Sequence, residues 1–542
     1  MTTLRAEAAP RPQPASVSAG QRHRLGFAAG VAAALAFVLA VVLLRLITDV
    51  PSVLEIVADG ILFLLPGALF SAVLDAMQHA AKPLLYLAMV VGTLLVGGLL
   101  GRWYAGKPSA GRAASIAISV WLIFGVGIYT VAGAGLFGQR LSAGPLWHGG
   151  SLLALFAVYG LALYQLFQAF ERRAQRRLGV VPVDAERRSA LWSIGGALVA
   201  VGVGGGVWRA VMNGGAGGSA PPEVAAVPVP DAATPGAASL GANPAPFAVA
   251  GVAPEITPVR DFYTVSKNFI DPSVDVGGWR LRIDGMVDHP IELTYDQLRA
   301  LPASEGYYTL MCISNEVGGD LWGNARWTGV KLHTLLEQAG VQAGVVKAVF
   351  TGADDYKDSV AVDRALHPDA FLAWEMDGAP LAKEHGFPAR LLIPGIYGMK
   401  NVKWLRGITL VSDNFKGYWQ ARGWDDGAPY QTASRIDVPP QRSTLAAGPV
   451  DVGGVAFAGD RGIQKVEVST DQGQTWQEAQ VKPGLSPYTW QLWSARVDVA
   501  KGVRSLQVRA TDGAGHVQVH TEAPPFPAGS TGYHTVDVGV TG

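Results

Sequence analysis

The chain has 542 residues, a formal net charge of zero and a charged fraction of 16%, against roughly 25% in soluble domains, and its mean hydropathy is +0.24. Zero net charge without a basic stripe in the polar part excludes binding to nucleic acid through phosphate neutralisation, and a single cysteine excludes a disulfide scaffold. The charge deficit is confined to residues 1–212, so an apolar part precedes a polar one.

Five stretches have about the 20 residues needed to cross a hydrocarbon core: Leu25–Ile47, Leu84–Leu100, Ala114–Leu136, Gly150–Phe170 and Leu191–Val211. A sixth, Val53–Ala76, carries Glu55, Asp59, Pro66 and Asp75. Its uninterrupted apolar part suits a re-entrant or interfacial segment. Cytoplasmic loops collect Lys and Arg. Arg5, Arg11, Arg22 and Arg24, then Arg102, Lys107 and Arg112, then Arg172, Arg173, Arg176, Arg177, Arg187 and Arg188 all face the cytoplasm only if Val53–Ala76 does not cross. The expectation is a multi-pass protein of the cell membrane with everything after Val211 extracytoplasmic. Glu186-Arg187-Arg188-Ser189-Ala190-Leu191 resembles a twin-arginine export signal; read as the basic flank of a span, it gives the same orientation. His79 and His148 lie near the expected helix ends, where two histidines without a second facing pair suit solvated loops, so no haem is expected in this chain.

Residues 213–258 are rich in Gly, Ala and Pro and nearly free of charge, which reads as a flexible tether. From Val259 charges and tryptophans return. Trp279–Gly285 alternates as a half-buried strand, whereas Tyr295–Leu298 and Val330–Leu336 suit short helices, so residues 259–432 are expected to form an α+β domain. Past Asp437-Val438-Pro439-Pro440 the pattern is wholly β. Lys465–Thr470 and Ser505–Ala510 alternate and are followed by Gly-containing turns, suggesting an immunoglobulin-type β-sandwich over 433–542.

The lone Cys312 sits in Tyr308-Thr309-Leu310-Met311-Cys312-Ile313-Ser314-Asn315, at the end of an apolar run. Downstream follow Gly323-Asn324-Ala325-Arg326-Trp327-Thr328-Gly329-Val330-Lys331-Leu332, Asp377-Gly378-Ala379-Pro380-Leu381, His385-Gly386-Phe387-Pro388-Ala389-Arg390 and Gly398-Met399-Lys400-Asn401-Val402-Lys403-Trp404-Leu405. In this order, over roughly Pro258 to the C-terminus, they resemble the sulfite oxidase family of molybdenum enzymes. The resemblance implies a molybdenum–molybdopterin cofactor with Cys312 as the protein's metal ligand, a soft thiolate suited to a two-electron metal. It also implies that the polar part is a molybdopterin domain followed by a dimerisation domain, giving a homodimer.

Molybdopterin ends in a phosphate. In the matched motifs Arg390 supplies a planar fork for it and His385 a further donor, Lys400 and Lys403 add point charges, and Gly395 and Gly398 permit backbone approach. Tyr356 aligns with the tyrosine that faces the metal in sulfite oxidases, where a phenol can donate a hydrogen bond or relay a proton. Upstream, in Asp261–Asn268, the family has an arginine that is absent here, leaving Lys267 and Asn268 as pocket residues. After the cysteine, sulfite-oxidising members carry two arginines where this chain has Glu316-Val317, which argues against sulfite.

The expected activity is oxygen-atom transfer to or from a small oxyanion or an S- or N-oxide, with a quinone or a cytochrome as redox partner. Reduction of oxidised methionine in exported proteins is the second reading. A membrane-tethered, non-catalytic binding or assembly module is the third; an intact motif set around the only thiol speaks against it.

Overall fold

The computed structural model describes residues 17–48, 50–64, 81–141, 143–178, 195–199, 201–207, 249–268 and 270–541. Two compact units are present, one helical and one rich in β-structure.

The helical unit contains α1 (Ala19–Thr48), α2 (Val53–Leu64), α3 (Ala81–Tyr104), α4 (Ala110–Val131) and α5 (Gly144–Arg177). Among them α1, α4, α5 and Pro83–Tyr104 of α3 are long and apolar enough to cross a membrane. A shorter apolar helix, Gly195–Val207, falls within the expected fifth span. Helix α2 is described over Val53–Leu64. The rest of the Val53–Ala76 stretch, His79 and the Glu186–Leu191 segment lie outside the described residues.

Helices α1 and α3 meet along small residues spaced by four, Gly26, Gly30 and Ala34 against Gly97, Gly101 and Ala105. A Cβ on Gly30 would lie 2.1 Å from the Gly97 carbonyl oxygen, so only glycine allows this approach, a common device between helices in lipid. The Tyr159 hydroxyl of α5 donates to the same carbonyl at 2.8 Å. At the start of α2, Ser52 and Glu55 form a reciprocal cap, and Glu55 also receives Arg45 Nε at 3.1 Å. His148, expected in a solvated loop, is instead 2% exposed. The reason is that α5 begins at Gly144, six residues before the expected Gly150, which puts His148 inside the helix.

The β-rich unit opens with two five-stranded sheets. The first has the order β2 (Ile291–Thr294), β1 (Arg280–Gly285), β10 (Leu405–Val411), β5 (Lys347–Gly352), β6 (Lys357–Ala361), with β1 and β10 parallel. Its core includes Leu281, Ile283, Phe350 and Ile408. The second runs β3 (Ser304–Met311), β4 (Trp322–Lys331), β7 (Phe371–Met376), β8 (Ala379–Pro380), and β9 (Arg390–Leu392) also pairs with β7. The short helix α6 (Tyr295–Arg299) begins with a Thr294–Gln297 capping box. Val330 and Lys331, expected to open a helix, belong to β4, and α7 covers Leu332–Ala339. The strand wins there because Val330 and Lys331 pair with Leu372 and Phe371 of β7.

The C-terminal part is two β-sheets. One has the order β11 (Ala433–Val438), β13 (Gly448–Phe457), β17 (Gln491–Val499), β16 (Gln480–Val481); the other β12 (Ser443–Ala446), β19 (His534–Thr541), β18 (Ser505–Asp512), β14 (Ile463–Ser469), β15 (Gln477–Glu478). They share a core of Val452, Trp493 and Val497 from one and Val466, Val508 and Val536 from the other.

The expected tether is shorter than its composition indicated, because residues 249–258 are docked. Ala253 N–H donates to Asp437 at 2.9 Å, Asn324 Nδ2 and Trp490 Nε1 donate to the Glu255 carbonyl, and the Glu255 carboxylate pairs with Lys482.

Candidate active site

Cys312 follows the last residue of β3 and is 6% exposed. Its N–H donates to the Leu321 carbonyl at 2.9 Å and its carbonyl accepts Asn315 N–H at 3.0 Å, so it starts a closed loop leading into β4. Burial pushes its thiol up, opposed by the Ser314 amide and hydroxyl and the Ile313 amide, which favour the thiolate.

The C-terminal sheets brace this loop. Ser530 Oγ donates to the Asn315 carbonyl at 2.6 Å and Arg435 donates to the Gly319 carbonyl at 2.8 Å. His534 packs on Gly318, and its Nδ1 accepts Ile436 N–H at 3.0 Å. Burial pushes the His534 imidazole down to about 4, so it packs as a neutral ring. Glu316 points to solvent.

Gly398 seals the floor of the cysteine site. A Cβ there would lie 2.5 Å from the Tyr263 hydroxyl and 3.2 Å from the Met311 carbonyl. Around Cys312 stand three phenols, Tyr263, Tyr397 and Tyr430, all pushed well above the usual range, mainly by burial and in part by the thiolate. Met311 N–H reaches the Tyr430 hydroxyl at 3.4 Å. Sequence reasoning missed these phenols. Tyr263 lay inside the Asp261–Asn268 segment, but the signal was weak because the three come from separate stretches.

Arg390 enters through β9, whose register with β7 and β4 places it level with Ser304, at the other end of β3 from Cys312. Its guanidinium is 5% exposed and donates only to neutral carbonyls, His385 O at 3.1 Å and Asn401 O at 3.4 Å, while Nε has no partner. Among the described residues no carboxylate pairs with it. Burial lowers it to about 10; the groups that favour its charge are the Tyr263 and Tyr430 phenols. A buried cation without a counter-ion is costly, and a bound anion would offset that cost. His385 is 2% exposed and its Nε2 meets the Val259 carbonyl at 3.1 Å; burial, then Arg390, push it down. The turn at Gly386 brings in Lys403, whose Cβ is 3.0 Å from the position of a Gly386 Cβ and whose ammonium donates to the Glu384 carbonyl. His385, Arg390 and Lys403 thus form one group.

Lys400 is not part of that group. It is fully buried, 3.0 Å from Asp358 and 2.9 Å from the Ser359 carbonyl, so its charge is already matched. Asp358 also lies 2.9 Å from the Tyr356 hydroxyl, which has the Met399 carbonyl at 2.8 Å on its other side. The single phenolic proton is therefore held between two acceptors. Burial raises the Asp358 carboxyl against the pull of Lys400. Lys267 and Asn268 stand nearby: Lys267 Nζ is 3.2 Å from Asn268 Oδ1 and 5.7 Å from the Tyr418 ring, Asn268 donates to Asp354 at 2.8 Å, and Tyr418 lies 5.7 Å from Tyr356.

The residues present fit molybdopterin. A buried thiol at one end and an uncompensated guanidinium at the other, with Tyr263 and Tyr430 sensing both, suit an elongated ligand carrying a metal at one end and a phosphate at the other. Cys312 would hold the metal, and Arg390, His385 and Lys403 the phosphate.

Comparison with known proteins agrees. Residues 268–419 match the model of the oxidoreductase molybdopterin binding domain, and residues 430–524 that of the Mo-co oxidoreductase dimerisation domain. The mitochondrial sulfite oxidase of Rattus norvegicus is 32% identical over 319 residues, 50% of this chain and 58% of that protein. The sulfite oxidase of Gallus gallus is 31% identical over 50% of this chain and 69% of its own length. The chain thus spans less than two thirds of the mammalian relative and somewhat more of the avian one. The solved sulfane dehydrogenase SoxCD from Paracoccus pantotrophus is similar at 26% identity and a TM-score of 0.45, over 52% of this chain and 80% of that one, a loose superposition. With its buried thiol, both family domains in the expected order and 31% identity over 69% of a sulfite oxidase, this chain belongs to the sulfite oxidase family of molybdopterin oxidoreductases.

Proposed function

We propose that the chain is a membrane-anchored oxidoreductase that transfers an oxygen atom to or from a small oxyanion or an S- or N-oxide at the extracytoplasmic face. We further assign the C-terminal pair of sheets an immunoglobulin-type topology and the role of joining two copies. The observation that carries the reading is the buried guanidinium of Arg390, which pairs with no described carboxylate and shares the Tyr263 and Tyr430 phenols with the only thiol. The bound cofactor would supply a two-electron metal centre able to exchange oxygen.

The chain's own residues divide the remaining work. Arg390, with His385 and Lys403, anchors and neutralises an anion out of water, where a charge-assisted contact is strongest. Gly398 leaves room against the Met311–Cys312 backbone. Tyr356 holds its proton between Asp358 and the Met399 carbonyl, with Lys400 balancing the carboxylate, so that a proton can be given or recovered as the substrate changes charge. Lys267 supplies a cation on the Tyr418 side of Tyr356, where Arg422 also stacks on the Tyr418 ring at 3.6 Å. Glu316 and Val317, standing where sulfite-oxidising members carry arginines, favour a substrate other than a small dianion.

The test is metal and pterin analysis of the purified chain, together with turnover of sulfite, sulfoxides and N-oxides with a dye as electron partner. Absence of molybdenum after expression with cofactor supply would refute the reading. Turnover confined to sulfite would refute only the inference, drawn from Glu316 and Val317, that the substrate is not a small dianion.

A further inference from the structure

The buried polar network behind Tyr356 runs on to the surface. Asp358 and Lys400 are fully buried, and Gly417, in the loop after β10, lies so close that a Cβ on it would stand 2.6 Å from Asp358 Oδ1. Bulk water is kept off this carboxylate, so it exchanges a proton through its neighbours. On its outer side stands the Lys400 ammonium, which faces three acceptors: Asp358 Oδ1 at 3.0 Å, the Ser359 carbonyl at 2.9 Å and Asp426 Oδ1 at 3.6 Å. Asp426, on the same loop as Gly417, has a side chain 30% exposed, and the half-exposed Lys416 meets it at 2.7 Å. Lys347 fixes this outer carboxylate at 2.7 Å while holding the Phe415 carbonyl at 3.0 Å. From pocket to water the order is Tyr356, Asp358, Lys400, Asp426.

An ion pair that served only to bury Lys400 would stop at Asp358. Here one ammonium stands between two carboxylates of opposite tendency. Burial raises the inner one, Asp358, against the pull of Lys400. Burial would raise the outer one as well, but Lys347 and Lys416 hold Asp426 below the usual carboxylate range. A proton arriving from water is thus retained at the inner position, beside the phenol, whose other charged or titratable neighbours are Asp354 and Tyr418. We propose that Asp358, Lys400 and Asp426 form a relay carrying protons between solvent and the Tyr356 hydroxyl. In each inward passage Lys400 gives a proton to Asp358 and takes one from Asp426, which is refilled from water, so the ammonium ends unchanged. The 3.6 Å step, the longest, needs Lys400 to swing toward Asp426. Removing the oxygen of an oxide as water takes up two protons along with two electrons from the quinone or cytochrome partner, and the reverse reaction releases them by the same route. Asp426 is a positioning residue that acts through Asp358 and Tyr356. The relay rests on the oxygen-atom transfer proposed above.

The full chain, loaded with molybdenum and held in detergent, is assayed by dye-linked turnover. Separately, infrared spectroscopy after an acid jump follows protonation of Asp358 as the carboxyl band missing from the paired change Asp358→Asn with Lys400→Met. In the parent both rates should be independent of added imidazole. Asp426→Asn, which keeps the shape but carries no proton, should slow both at least about tenfold, with imidazole restoring them and Asp426→Glu staying within about twofold of the parent. KM and molybdenum content should not move. A parent-like rate of Asp426→Asn in either assay, or slowing that imidazole does not restore, would overturn the relay. So would a parent already accelerated by imidazole, an outcome that needs no variant to fold. The infrared measurement requires neither metal nor substrate. Fast, Asp426-dependent protonation of Asp358 in a chain that turns nothing over would leave the relay standing while removing the proposed catalytic function.

Discussion

At the scale of single residues, the proposed function divides the site into groups that would hold the cofactor and groups that would hold a proton. Cys312→Ser should abolish turnover with the fold retained, since a hydroxyl is a far weaker donor to a soft metal than a thiolate; circular dichroism and dye-linked turnover check both halves of that expectation. Arg390→Ala should weaken cofactor retention about ten- to hundredfold, the worth of a charged hydrogen-bonding contact, read as molybdenum and pterin per chain after dialysis. Asp358→Asn leaves Lys400 buried with only the more distant Asp426, 3.6 Å away, as counter-ion. It should cost about 3 kcal/mol of stability, and the paired change Asp358→Asn with Lys400→Met should recover most of it in denaturant titrations. Cys312, His385 and Arg390 were legible in the sequence as candidates, because one thiol and one short motif carry them. The role of Lys400 was not, because its partner lies 42 positions away and only the folded chain shows that its charge is taken.

At the scale of elements, alternation served well where one face of a strand is buried. The stretches around Lys465 and Ser505 became β14 and β18. It failed at Val330-Lys331, where strand and helix share a continuous apolar pattern and pairing with β7 decides the boundary. It failed again at residues 249–258, whose composition is that of a tether but whose polar groups find partners in Asn324, Asp437 and Lys482. A fragment beginning at Val249 should therefore exceed one beginning at Pro258 by about 2–3 kcal/mol, from hydrogen bonds of about 1 kcal/mol each, measured by urea unfolding. In the helical unit, Gly30→Val forces α1 off α3, and overpacking of this kind costs about 1–3 kcal/mol. Thermal melts in detergent should show it.

At the scale of the whole molecule, the proposed orientation rests on the arginine-rich stretch 172–188: if it is cytoplasmic, the β-rich unit lies outside. Protease added to intact cells should cut between residues 213 and 248, and protection of that stretch until lysis would place the enzyme inside. The braces on the Cys312 loop carry a consequence in time. Ser530, which holds the Asn315 carbonyl, lies 215 positions after it in sequence, and His534 follows later still. A ribosome delivers these residues long after the cysteine, so the loop acquires its final shape only once the distal sheets have closed over it. Insertion of the metal is thereby scheduled as a late event, and chains stalled or trimmed before Ser530 would emerge with a thiol but no settled place to receive it.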